Sequence, residues 1–258
     1  MDALDSTDTP QIARHFGQVL AVSPHLDDAV FSCGALLATC RPAVVATIFA
    51  GEPEQRDVVT PWDASCGFVN AHHAIQARRQ EDKMALGILG ARPIHLPFLD
   101  AQYGNSPHLR DIRNAVHEII VREKPETVLI PLGLFHSDHI LVAEAMMSLR
   151  QIGLNVRWVA YEDALYRRKP GLLHARLEQL RAQGIGLTFL AFHSHIQAFG
   201  KARAVAAYAS QLHGVGLLRN DNSGFAAGVG ARGRRRTGTQ GLRIDGDTAA
   251  PEGYWLLD

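Results

Sequence analysis

Cysteine is scarce and poorly placed for cross-linking: Cys33, Cys40 and Cys66 are the three present. An odd set with no Cys-x-x-Cys pair argues against a disulfide framework and a thiolate zinc site. Cys33 and Cys40 fall in a helical stretch and read as small buried residues. An excess of one charge is also lacking. The 26 basic side chains equal the 26 acidic ones, so there is no electrostatic reason to expect nucleic acid as the main partner. No apolar run approaches a membrane span. Residues Met1 to Gln11 are acidic and polar, the wrong composition for a secretory signal, so a cytoplasmic protein is expected. Three signatures are missing as well: a Gly-x-Gly-x-x-Gly turn after the first strand, a Walker phosphate loop and a His-Glu-x-x-His helix. Dinucleotide, nucleoside triphosphate and zincin readings thereby lose their main warrant.

What is present is apolar and rhythmic. Of 258 residues 47% are apolar and 20% charged, enough for a sizeable core and too little charge for a disordered chain. Apolar runs at Val19–Val22, Ala43–Phe49, Ile94–Leu96, Thr127–Pro131 and Val156–Tyr161 read as strands, with Gly186–Ala191 weaker. Helical patterns fill Asp28–Cys40, Ala71–Leu89, His108–Glu123, Asp138–Leu149, Leu173–Ala182 and Gly200–Tyr208. Strand and helix alternate from residue 18 to about 210. This predicts an α/β, Rossmann-like fold, with a mostly parallel sheet and helices on both faces. A single domain spanning 1–258 is expected, with 1–12 as an amino-terminal tail and 214–250 as a Gly/Arg-rich loop or flap. The arginines of Gly230–Arg236 read as solvated surface. Tyr254–Leu257 is apolar enough to return as an edge strand. The irregular stretch Ala50–Gly67 is expected at the sheet edge that carries His25.

Histidine is the outlier, with 13 copies, and its placement draws attention to two turns. The first follows strand one: Ser23-Pro24-His25-Leu26-Asp27-Asp28-Ala29-Val30. One imidazole and two carboxylates stand where a parallel sheet exposes its carboxyl edge, the usual place for a site in open α/β folds. His25 and Asp28 could supply two ligands of a catalytic metal, which takes three protein ligands and keeps a position for water. Adjacent Asp27 diverges from Asp28 by about 100° around a helix and is free to act on that water. The bland alternative makes Asp27 and Asp28 a helix cap and a first-turn acid. The second turn, after Thr127–Pro131, carries His136-Ser137-Asp138-His139. It can supply a third ligand, although its two imidazoles need not both touch the metal. Ser137 or Asp138 as a cap is the competing view. Two His/Asp clusters at strand-to-helix turns are what one shared sheet edge requires.

Together these stretches resemble the LmbE/PIG-L family of zinc-dependent N-deacetylases. The usual Pro-His-Pro-Asp-Asp-Glu signature has Leu26 and Ala29 in place of its second Pro and its Glu. The Ser-Pro-His-Leu-Asp-Asp-Ala-Val form resembles the branch containing glycopeptide-antibiotic sugar deacetylases. Arg78-Arg79-Gln80-Glu81, Tyr161-Glu162-Asp163-Ala164-Leu165-Tyr166 and Lys201 with Tyr208-Ala209-Ser210-Gln211 are similar to further family segments. The resemblance implies removal of an N-acetyl or other N-acyl group from an amino sugar or glucosaminyl conjugate. It implies His25, Asp28 and His139 as metal ligands and Asp27 as general base. It makes His136 the stabiliser of the oxyanion or the proton donor to the amine, with Asp138 orienting it as a cation. It makes Arg78, Asp100 and Tyr166 substrate contacts. Zinc is the metal implied, and a His2Asp set also accepts Fe2+ or Co2+. A metal-dependent amidase acting on a non-sugar or thiol-conjugate substrate, and a carbohydrate-binding protein with a vestigial metal site, are the alternatives.

Overall fold

A computed structural model describes residues 9–104, 106–191, 195–214 and 251–258. The strands are β1 (Val19–Ser23), β2 (Ala43–Thr47), β3 (Ala91–His95), β4 (Thr127–Pro131), β5 (Arg157–Tyr161), β6 (Leu187–Ala191) and β7 (Gly253–Leu257). The helices are α1 (Thr9–Phe16), α2 (Asp28–Thr39), α3 (Pro61–Ser65), α4 (Ala71–Leu89), α5 (Leu109–Glu123), α6 (Ser137–Arg150), α7 (Leu172–Ala182), α8 (His195–Ala206) and α9 (Ala209–Gly214). The strands form one sheet in the order β3-β2-β1-β4-β5-β7-β6. Pairing is parallel from β3 through to β5, and β7 is antiparallel to both of its neighbours.

The chain folds this way because its strands are apolar on both faces. Along β1, Val19 and Ala21 enter one core with Leu36, Leu86 and Val205, from α2, α4 and α8. Leu20 and Val22 enter the other with Ile112, Val116 and Met146, from α5 and α6. The period of two deals alternate residues to opposite sides, as a sheet covered on both faces requires. All twelve residues of α2 are buried. Helix α4 is bounded as its sequence predicts. Asn70 accepts a hydrogen bond from His73 N at 2.8 Å, and Gly90 ends the helix in the left-handed conformation, φ +71°.

The strand order fixes where a site can lie. From β1 the chain passes to β2 and β3 on one side and later to β4 and β5 on the other. The crevice between β1 and β4 is therefore the switch point, open at the carboxyl ends of both strands. Both His/Asp clusters emerge there.

Several expectations need correction. The strand at Tyr254–Leu257 is interior, wedged between β5 and β6, because its apolar residues have a partner on each side; β6 is the edge. Helix α1 begins at Thr9, inside the stretch expected as a tail. Residues 1–8, and the Gly/Arg-rich loop apart from Gly214 at the end of α9, lie outside the described residues. The irregular segment 50–67 contains α3, capped by Thr60, whose side chain accepts from Asp63 N. Among the described residues no helix is long and apolar enough to cross a membrane.

Candidate metal centre and pocket

The turn after β1 is shaped by Ser23, whose hydroxyl donates to His25 O (2.7 Å) and accepts from Ala29 N (3.0 Å). Ser23 thus supplies the hydrogen bond that a capping aspartate would have supplied. Asp27 makes no side-chain capping bond, and Asp28 Oδ2 reaches back to accept from His25 N at 2.8 Å. The turn after β4 depends on Gly133, with φ +80°. A Cβ there would come within 2.6 Å of Ala143 Cβ, so only glycine lets this turn fold back onto α6.

The two turns bring three ligand atoms together. Asp28 Oδ2 lies 3.1 Å from His25 Nδ1 and 3.1 Å from His139 Nε2. Around a tetrahedral metal with bonds of about 2.0–2.1 Å, neighbouring ligand atoms stand about 3.3 Å apart, so the set is suited to one such ion. Each histidine has a carboxylate at its other nitrogen. Asp138 Oδ2 is 3.1 Å from His25 Nε2, and Asp163 Oδ1 is 2.6 Å from His139 Nδ1. Asp163 is itself held by the Gly133 and Leu134 amides, both at 3.0 Å. Metal-binding histidines regularly have such a carboxylate behind them, where it fixes the ring's tautomer and aim. The donor set fits a divalent metal such as zinc. A second cluster of three possible ligands, His25, His136 and Asp138, shares His25 with the first.

The charges follow the geometry. Burial raises the Asp27 carboxyl and the neighbouring Asp28 charge adds to it, to about 8. Burial opposes the charged form of His139, but the Asp28 and Asp163 carboxylates prevail and push it up to about 9. His25 is likewise raised well above its usual value, because its bonds to Asp138 and Asp28 outweigh burial. Asp28 goes the other way, held well below the carboxylate range by His139 and His25 despite burial.

His136 differs from the expectation. It is the N-cap of α6, and its Nδ1 accepts from Asp138 N at 3.2 Å, which leaves the proton on Nε2. Burial lowers its pKa and the His25 charge lowers it further. Both effects oppose the cation expected, and Nε2 is the nitrogen left to donate. Nor does the Asp138 carboxylate orient it. That group is drawn instead to His25 Nε2 and to Ala101 N (3.1 Å).

A pocket of about 540 Å³ opens beside these groups. His25, Asp27, Asp28 and His136 line it together with Arg78, Asp100 and Tyr166, against Leu26, Phe49, Trp62, Ile75 and Leu165. Asp100 also builds its own turn, accepting from Gln102 N (3.0 Å) and Gln102 Nε2 (2.8 Å). Its Oδ2 is 3.9 Å from His25 Nε2. Tyr166 meets His139 edge-on at 5.2 Å and stacks on His136 at 6.5 Å. Arg78 is buried and pairs through Nη1 with the fully buried Asp63 at 2.8 Å, so it does not reach the site carboxylates. Its Nε and Nη2 have no hydrogen-bond acceptor among the described residues. Tyr103 OH donates to the same Asp63 at 2.9 Å. Sequence reasoning missed Asp63, which no local pattern marks. It placed Asp163 only within a segment similar to one of the family's; lying two residues past the end of β5, at the same sheet edge, was the signal available.

Comparison with known proteins points to deacetylases. A diacetylchitobiose deacetylase of Thermococcus kodakarensis is 27% identical over 115 residues, 44% of this chain. The chain thus matches 40% of the length of that curated relative. Among solved structures, the deacetylase of the A40926 pseudoaglycone is 28% identical with a TM-score of 0.60, covering 75% of this chain and 82% of that one. A triple-mutant deacetylase from the teicoplanin biosynthetic pathway is 25% identical with a TM-score of 0.69, covering 93% and 98%. The family described as PIG-L, GlcNAc-PI de-N-acetylase, matches residues 20–150, and with half of the sequence matched, including both His/Asp turns, the chain belongs to the PIG-L family.

Proposed function

We propose that the protein is a zinc-dependent deacetylase that hydrolyses the N-acetyl group of an amino sugar or glucosaminyl conjugate, acting as one domain. The observation that carries this reading is the convergence of His25 Nδ1, Asp28 Oδ2 and His139 Nε2 beside Asp27 in a pocket. The similarity to deacetylases of acetylated sugars and glycopeptide pathways supports the substrate class. Zinc held by His25, Asp28 and His139 would acidify a water and polarise an amide carbonyl.

The chain's own residues then divide the work. Asp27, with its pKa raised by burial and by Asp28, accepts a proton as the water oxygen attacks the amide carbon. A carboxylate next to the ligand set is placed for that transfer. The proton of His136 Nε2 is directed toward the oxyanion that develops, a donor fixed in advance by the Asp138 N–H. As the C–N bond breaks, the proton taken by Asp27 passes to the departing nitrogen, leaving acetate and a free amine. Asp138 and Asp163 position His25 and His139. Arg78, Asp100 and Tyr166, which line the pocket, are the side chains offered to the sugar.

Acetate release from N-acetylglucosamine and N,N'-diacetylchitobiose by the zinc-loaded protein tests the reading. Release from neither, with zinc bound at one equivalent, would reject it.

A further inference from the structure

Phe135 is the anomaly at the rim of the site. It lies between β4 and α6, directly before His136, with φ +64°. Bulky side chains rarely adopt that left-handed conformation because it crowds the backbone, whereas glycine adopts it freely. Burial could offset the strain, but Phe135 is 57% exposed. The fold gains little from this ring, and a glycine would serve the turn better. Strain that the fold does not need points toward function.

What the conformation achieves is placement. The Phe135 ring lies 5.4 Å from that of Tyr166, tilted by 38°. Tyr166 lines the pocket and packs on His139. Aromatic surface therefore runs without a break from a proposed metal ligand, along the pocket wall, to a ring outside the pocket. Lys169 follows Tyr166 by one turn, its N–H donating to Tyr166 O at 2.9 Å. Its Nζ stands 3.9 Å from the centre of the Phe135 ring. The ammonium covers part of one face of the ring, and the rest of this 57% exposed side chain, with that donor next to it, suits a pyranose. The C–H face of the sugar packs on the ring and a hydroxyl accepts from the ammonium.

We propose that Phe135, assisted by Lys169, is a specificity determinant that stacks on the second sugar ring of the substrate, the one joined to the acetylated unit inside the pocket. This rests on the amino-sugar reading above. It makes a disaccharide or longer glycoconjugate the preferred substrate over a free monosaccharide.

The test compares zinc-loaded wild type, Phe135→Gly and Phe135→Tyr on N-acetylglucosamine, N,N'-diacetylchitobiose and an aryl N-acetylglucosaminide. Phe135→Gly should lower the disaccharide-to-monosaccharide ratio of kcat/KM by about three- to tenfold, mainly through KM. Its Tm should equal or exceed that of wild type, since glycine relieves the backbone. Phe135→Tyr should restore the ratio. An unchanged ratio, an equal loss on all three substrates with a lowered Tm, or a loss confined to the aryl glycoside would each overturn the proposal. Wild-type protein inactive on every substrate would instead reject the deacetylase reading, and the stacking role with it.

Discussion

Asp27 and Asp163 make opposite demands on an assay. Asp27 binds nothing as a helix cap and holds a raised carboxyl next to the ligand set. Asp27→Asn should keep zinc at one equivalent while turnover falls by about 100-fold or more; full activity with zinc bound would remove its role as base. Asp163 never faces the pocket, yet it grips His139 Nδ1 at 2.6 Å. Asp163→Asn should weaken zinc by about 10- to 100-fold, measured by competition with a chelator. The proposed ligands could be singled out because His25 and Asp28 follow an apolar run, while the choice of His139 over His136 came from the family resemblance. Their supporting partners were harder to read. Asp138 lies two residues after His136, yet Ala101 N and His25 Nε2 claim its carboxylate. Neither competitor is local, so the imidazole that the resemblance paired with Asp138 is not the one its carboxylate contacts.

Among the elements, α3 and α4 are locked by charge. Asp63 is fully buried and Arg78 nearly so; Arg78 lines the pocket, with the Phe68 ring 5.3 Å from its guanidinium. Asp63→Ala leaves a buried cation without its partner and should cost about 3 kcal/mol in urea unfolding. Replacing both partners, Asp63→Leu with Arg78→Met, should recover much of that stability while leaving deacetylation impaired. Recovery of both would show that Arg78 serves packing alone. Helix α4 itself was fully legible, from Asn70 at one end to Gly90 at the other, as was β4, apolar from Val128 to Pro131 and buried throughout. Short α3 was not, because five residues in a loop carry too little periodicity to register. The position of β7 was not legible either. Its sequence declares a strand, but which gap in the sheet it fills depends on where β5 and β6 stand.

Over the whole molecule, metal and proton compete for the same fold. With zinc removed, Asp27 holds a proton up to about 8, against an ordinary carboxylate value of 3.8. His139 holds one up to about 9, against 6.5. In both cases the folded state binds a proton that the unfolded chain releases. The stability they provide is present at low pH and is lost as pH rises through these folded values. The Tm of zinc-depleted protein should therefore fall between about pH 6 and about pH 9. Zinc needs His139, one of its proposed ligands, unprotonated, so its stabilisation should grow across that window. A gap between loaded and depleted Tm that narrows with rising pH would contradict the assigned ligands.

The interior place of β7 bears on synthesis. Strand β6 has β7 as its sheet neighbour, and β7 in turn separates it from β5. On a ribosome, the sheet can close no further than β5 until residues 253–257 have emerged. Until then β6, made more than sixty residues earlier, has no ladder to join. Glu252, next to β7, also accepts from Ala35 N and Leu36 N and pairs with Lys201 at 2.7 Å. A ribosome stalled shortly before Glu252 would thus hold a chain whose first long helix still lacks its final hydrogen-bond partner. Protease sensitivity of such nascent chains should fall abruptly once the last strand clears the exit tunnel.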